Sequence, residues 1–166
     1  MDTIYKRRSI RKYTSERVSD ETLMEIIRAG MNAPSAGNQQ PWHFVIIDER
    51  ALLERITEIH PYAQMLHKAP AAILVCGDLD LEKHEGYWVQ DCAAAVENML
   101  LEIVDQGLGG VWLGVYPRND RVEGIRELLG IPGHVIPFAL IAVGHGAEEK
   151  GLKNEFHKER IKRNHW

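Results

Sequence analysis

The chain has 166 residues, 45% of them apolar and 27% charged, with a net charge of −4. That length fits one domain with a core of its own, and that charge balance excludes bulk attraction to nucleic acid or anionic lipid. No apolar run approaches a membrane span, and the eight histidines are scattered without metal-ligand spacing, so neither a membrane protein nor a metal site is expected.

The first five residues, Met1, Asp2, Thr3, Ile4 and Tyr5, lack an apolar core of signal-peptide length. A basic stretch follows, with Arg7, Arg8, Arg11 and Lys12 around Ser9. Ser19 is a helix N-cap with Asp20 and Glu21 in the first turn, and Leu23, Ile26, Ile27 and Gly30 recur at helical spacing until residues 32–34 break the helix. Residues 43–47 predict a strand, and residues 49–60 a helix stopped by Pro61. Residues 71–77 form a short apolar run with β-branched members, which predicts a buried strand. The longest helix is predicted over residues 87–106. Val89, Cys92, Ala93, Val96, Leu100 and Ile103 form its stripe, enlarged by Ala94, Ala95 and Leu101, so most of its girth is expected to be buried, against a partner subunit. Residues 110–116 predict a third strand, residues 118–129 a helix with Gly130 past its end, and residues 138–143 a fourth strand. Residues 144–166 are polar and loop-like.

Helices alternating with strands indicate an α/β or α+β layer fold. The two cysteines, Cys76 and Cys92, sit in apolar runs and predict free buried thiols, which fits a reducing, cytoplasmic setting. No Ser stands in a G-x-S-x-G elbow, so a hydrolase has no support.

Two segments carry chemistry. Arg forks match phosphate oxygens bidentately and a Ser hydroxyl adds a short donor, so the first, Arg7-Arg8-Ser9-Ile10-Arg11, suits a phosphate. The second, Pro34-Ser35-Ala36-Gly37-Asn38-Gln39-Gln40-Pro41-Trp42, offers small residues, open backbone amides and side-chain amides, which suit a flat, polar-edged ring. A third, residues 107–116, is rich in glycine but lacks the G-x-G-x-x-G spacing of a dinucleotide fingerprint. Alone, the first reads better as a solvated face or helix-end charge cluster, the second usually reads as a loop, and the third reads as readily as a buried strand.

Taken together the segments resemble the nitroreductase family of FMN-dependent oxidoreductases. The family typically opens with Arg-Arg-Ser-x-Arg-x-Tyr/Phe, matched at Arg7 to Tyr13. It continues with Ala-Pro-Ser-x-x-Asn-x-Gln-Pro-Trp-x-Phe, matched from Ala33 to Phe44. Pro61-Tyr62-Ala63, Lys68-Ala69-Pro70 and residues 107–117 extend the likeness over nearly the whole chain.

The resemblance implies an α+β fold in α/β/α layers, a mixed central sheet flanked by helices, and an intertwined homodimer with FMN at the subunit interface. Residues 1–166 would form one such domain, with 145–166 a C-terminal extension wrapping the partner. Arg7, Arg8, Ser9 and Arg11 would hold the FMN phosphate, ribityl chain and ring edge. Pro34, Ser35, Ala36 and Asn38 would come to the flavin from the second subunit. Trp112, Leu113 and Gly114 would lie along one face of the ring, a backbone amide donating to N5. Lys153 matches the first member of a C-terminal basic pair that reaches the phosphate. The second member is Glu155, which breaks the pattern and turns attention to Lys150 or Lys158. Trp42 is expected in the core. Larger relatives insert helices where only residues 78–86 stand here, so the flavin face is expected to be open. The implied activity is NAD(P)H-dependent reduction of nitroaromatic, quinone or similar acceptors by a ping-pong scheme, with no obligate catalytic side chain. The alternative is a dimeric FMN-binding module with little turnover. Nucleic-acid binding through the basic clusters at residues 6–12 and 153–163 is a poor third.

Overall fold

The computed structural model describes residues 3–166; Met1 and Asp2 lie outside the described residues. Five helices and four strands follow in the order α1 (Thr3–Lys6), α2 (Asp20–Met31), β1 (Trp42–Ile47), α3 (Arg50–Ile59), β2 (Ala71–Asp78), α4 (Trp88–Asp105), β3 (Gly109–Gly114), α5 (Asn119–Leu129) and β4 (Val135–Gly144). The sheet order is β1-β2-β4-β3, and every neighbouring pair is antiparallel. The four strands are thus antiparallel throughout rather than mixed; an isolated parallel bridge outside them, Ser9 to Gly110, lays the N-terminal segment along the outer edge of β3.

The caps explain where the helices begin and end. Ser19 accepts from the Thr22 N–H at 3.1 Å at the start of α2, and Gly130, at φ 66°, closes α5 in the left-handed conformation that glycine takes without steric cost.

Both sheet faces are buried, which makes three layers. On one face α2 and α4 pack over Trp42, Ile73, Val75, Ala139 and Ile141. On the other α3 and α5 pack over Ile47, Leu74, Cys76, Leu140 and Leu113. The alternation of side chains along each strand sorts them between the two cores. β2 and most of β4 are buried at every position, which is why they read as continuous apolar runs rather than alternating ones. Trp42 is a core residue, 7% exposed. Trp88 lies so close to β2 that a Cβ on Gly77 would stand 2.2 Å from its ring.

Cys76 and Cys92 are free and buried. Burial pushes the Cys76 thiol up to about 12 and raises that of Cys92 as well, so both stay protonated. Among the described residues no helix is long and apolar enough to cross a membrane.

Candidate functional site

The basic segment leaves α1 and runs beside β3, where the Ile10 N–H donates to Gly110 O at 3.0 Å. Ile10 packs on Gly109, where a Cβ would be 2.8 Å from its side chain. Tyr13 anchors the far end: it is buried, its hydroxyl donates to Ile10 O at 2.6 Å, and burial raises its pKa, so it remains a donor.

The C-terminal tail then crosses back over the same segment. Ala147 N–H donates to Lys12 O at 2.8 Å, Lys153 N–H to Tyr5 O at 2.9 Å, and Lys150 Nζ to Ser9 O at 2.5 Å. Arg8 Nη1 donates to Gly151 O. The Arg11 N–H donates to Glu148 at 2.6 Å and holds that carboxyl below the usual carboxylate range. Beyond this point the tail is exposed, with Leu152, Phe156, Ile161 and Trp166 turned to solvent.

Between segment and tail lies a cavity of about 410 Å³, lined by Arg7, Arg8, Ser9, Arg11, Lys150, Leu152, Lys153, Asn154 and Glu155. Five cations and one carboxylate face it. Lys153 is 3.5 Å from Glu155, and Arg7 is 3.7 Å from Glu97 on α4. Of the two lysines considered in place of Glu155, Lys150 lines the cavity and Lys158 does not. Such a cluster of forked and point cations matches a doubly charged phosphate.

The structure does not bring the other two segments to this cavity. Residues 36–38 form a short 3₁₀ turn in which Gly37, Asn38 and Gln40 have φ of 52°, 54° and 48°. Two non-glycine residues at positive φ are uncommon, and such strain persists only where surrounding contacts impose it. Here Asp91 imposes it. Its Oδ1 accepts from the Ala36 N–H at 2.9 Å and its Oδ2 from Gln39 Nε2 at 2.6 Å. Gln39 Oε1 in turn accepts from the N–H groups of Lys83 and His84 at 2.7 and 3.0 Å. Ser35 Oγ accepts from the Gln40 N–H at 3.0 Å. Pro34 and Asn38 are exposed on this braced loop, with Ser35 and Ala36 half-buried. Asp91 did not stand out in the sequence, its one signal being a carboxylate inside an apolar helical stripe, and Gln39 counted only as one amide of the loop segment.

Trp112, Leu113 and Gly114 are at the end of β3. Trp112 is half-buried against Phe138, their ring centroids 5.9 Å apart. Leu113 points into the opposite core and is 4% exposed, so its side chain is closed to a ligand. Antiparallel ladders alternate hydrogen-bonded and outward-facing pairs. Val115 N–H donates inward to Phe138 O at 3.1 Å and Gly110 O accepts from Ile10 on the outside, so the N–H groups of Trp112 and Gly114 face the uncovered edge.

Gly114 O also faces outward, and there it accepts from His60 Nε2 and Arg121 Nη1, each at 2.9 Å. Neither residue stood out in the sequence, since they come from separate elements, 61 positions apart, and meet around a backbone oxygen.

Elsewhere, Asp78, Asp80 and His134 each place one potential ligand atom within 4.8 Å of the others. Asp80 and His134 are exposed there, and these three residues do not line the basic cavity.

A sequence model of the Nitroreductase family matches residues 4–60 and 59–145. A relative from Methanothermobacter thermautotrophicus, whose provisional name pairs NADH dehydrogenase with NAD(P)H nitroreductase, is 49% identical over 166 residues, covering 100% of this chain and 87% of its own. A solved FMN-dependent nitroreductase from Clostridium difficile superposes with a TM-score of 0.92 at 28% identity, covering 99% of each chain. A structure from Desulfovibrio desulfuricans, described as a nitroreductase in complex with FMN, superposes with a TM-score of 0.85 at 32% identity, covering 99% of this chain and 95% of that one.

Proposed function

Because the chain belongs to the nitroreductase family, we propose that it is an FMN-dependent oxidoreductase that uses NAD(P)H to reduce nitroaromatics, quinones or similar electron-poor acceptors. The observation that carries this reading is the cavity of about 410 Å³ faced by Arg7, Arg8, Arg11, Lys150 and Lys153, whose lining residue Ser9 bridges to β3 at Gly110. The residues present fit FMN: the cations suit its phosphate, and the outward N–H groups of Trp112 and Gly114 suit the acceptor edge of a flavin ring.

In this reading Arg7 and Arg11 hold the phosphate with Lys150 and Lys153. Ser9 and Arg8 serve the ribityl chain and ring edge. The braced loop carrying Pro34, Ser35, Ala36 and Asn38 reaches the flavin of a partner subunit in a homodimer, and the C-terminal extension from residue 145 wraps that partner. Bound FMN would supply hydride acceptance from NAD(P)H and electron delivery in two half-reactions, while the protein supplies position and electrostatics. Residues 79–87 hold no helix or strand, so little of this chain covers an acceptor and a proton can come from water. The two protonated thiols fit a reducing, cytoplasmic setting.

A second reading, a dimeric FMN-binding module with little turnover, draws on Glu155, a carboxylate facing the phosphate cavity. One experiment separates the two. Purified protein should show a flavin absorption spectrum, with FMN identified by mass at about one per chain; NAD(P)H should bleach it and an added quinone restore it. Bleaching that no acceptor reverses at speed favours the module. A colourless protein that takes up no FMN ends both readings.

A further inference from the structure

Gly114 is the residue of β3 that packing controls least. It is exposed, and nothing stands within 4 Å of where its Cβ would be. Its conformational freedom is limited instead by two donors on its carbonyl, His60 Nε2 and Arg121 Nη1, each at 2.9 Å. His60 follows the last residue of α3 and Arg121 lies in the first turn of α5. Tyr62 braces both, with the Arg121 guanidinium 5.5 Å from its ring centre and the His60 ring edge-on at 6.3 Å.

This arrangement is expensive for the protein. A carbonyl only accepts, so the bond to Gly114 puts the imidazole proton on Nε2 and leaves Nδ1 a bare acceptor. His60 is 1% exposed, and that Nδ1 has no partner; nor does the buried Arg121 Nε. Burial first, and the charge of Arg121 next, hold His60 below its ordinary pKa, outweighing the Gly114 hydrogen bond. The ring therefore stays neutral and keeps its single donor aimed at Gly114. An aliphatic side chain would fill the space without orphaned polar atoms. What it could not do is hold that carbonyl.

We propose that His60 and Arg121 are positioning residues for the cofactor: by clamping the Gly114 carbonyl they fix the exposed end of β3 whose outward N–H groups meet the flavin ring. The proposal rests on the FMN reading above. It assigns to α3 and α5, which touch neither the basic cavity nor the braced loop, a role in the flavin's environment.

The test compares wild type, His60→Ala and His60→Gln as full-length chains, since a Gln amide can restore one donor. FMN affinity is measured by titrating the apoprotein, the flavin midpoint potential by equilibration with a reference dye, and Gly114 amide exchange in the apoprotein. His60→Ala should bind FMN about tenfold more weakly, the size of one hydrogen bond's net contribution, with a displaced potential and faster Gly114 exchange. His60→Gln should return all three toward wild type, whereas His60→Leu, which fills the space without a donor, should not; rescue by Leu equal to that by Gln would mean a merely space-filling role. If His60→Ala does not fold, Arg121→Ala, at a half-buried site, makes the same test. A folded alanine variant with wild-type affinity and potential overturns the proposal and leaves the FMN reading intact. If the wild type itself takes up no FMN, both fall.

Discussion

Replacing Asp91 with Ala should unlock the loop at residues 34–40. Two charge-assisted hydrogen bonds end on this carboxylate, at 2.9 Å from Ala36 N–H and 2.6 Å from Gln39 Nε2. Each is of the kind that contributes about 1.5–3 kcal/mol. They are unequal in consequence. Ala36 is half-buried, so its N–H can recover a water. Gln39 is 6% exposed, so its amide is stranded at a penalty of about 1–3 kcal/mol. With the Ala36 bond replaced by water, the lost Gln39 bond and its stranded amide together cost roughly 2.5–6 kcal/mol, a large part of the 5–15 kcal/mol typical of a domain. Asp91→Asn keeps the shape but sets an NH₂ against the Gln39 NH₂. Gln39 cannot turn its amide over without losing the acceptor that Lys83 and His84 share. Urea unfolding should therefore show lower midpoints for both variants with an unchanged slope. In a Gln39→Ala background the cost of Asp91→Ala should shrink by more than about 1 kcal/mol, because the two residues share one network. Losses under about 1 kcal/mol in both single variants would refute the view that Asp91 imposes the strained turn.

Three further outcomes are expected. Arg7→Ala with Arg11→Ala should release FMN, on the order of 1.5–3 kcal/mol per lost phosphate contact, and equilibrium dialysis giving wild-type affinity would remove both from the phosphate site. Gly114→Val should leave the melting temperature nearly unchanged, since the added atoms meet nothing within 4 Å of the Cβ position, yet lower the flavin content read at its visible absorption; unchanged content would place the ring elsewhere. His60 is held below its ordinary value of 6.5 in the folded chain, so the unfolded chain takes up the proton first as pH falls. The imidazole's contribution is thus complete above about pH 6.5 and is lost below it. Toward acid across that window the urea midpoint of wild type should fall relative to that of His60→Gln, and parallel curves would mean that His60 is not desolvated.

What could be read in advance was what repeats or caps locally. Leu23, Ile26, Ile27 and Gly30 lie on the buried side of α2 as their spacing required, Ser19 caps that helix, and Gly130 ends α5. The family resemblance rested on runs such as Arg7 to Tyr13, whose order survives without knowledge of the fold. The unread parts are those in which one polar atom finds another far along the chain. Asp91 meets Gln39 across 52 positions and Arg121 meets His60 across 61, and neither pair leaves a periodic mark. Lys150 became a cavity residue only because the tail folds back onto Ser9. Leu113 was grouped with its neighbours, although strand alternation sends its side chain into the opposite core.

The last residue of the tail offers a probe of assembly. Among the four indoles, Trp42 and Trp88 are 7% exposed and Trp112 is half-buried, whereas Trp166 is 103% exposed. Fluorescence from an isolated chain would therefore have a red-shifted, readily quenched component belonging to one position. A second subunit that takes up the tail would move that component toward the blue and shield it from acrylamide, with no label added. Dilution through the dimerisation range would reverse the change, and Trp166→Phe would abolish it, so the chain reports its own partnership.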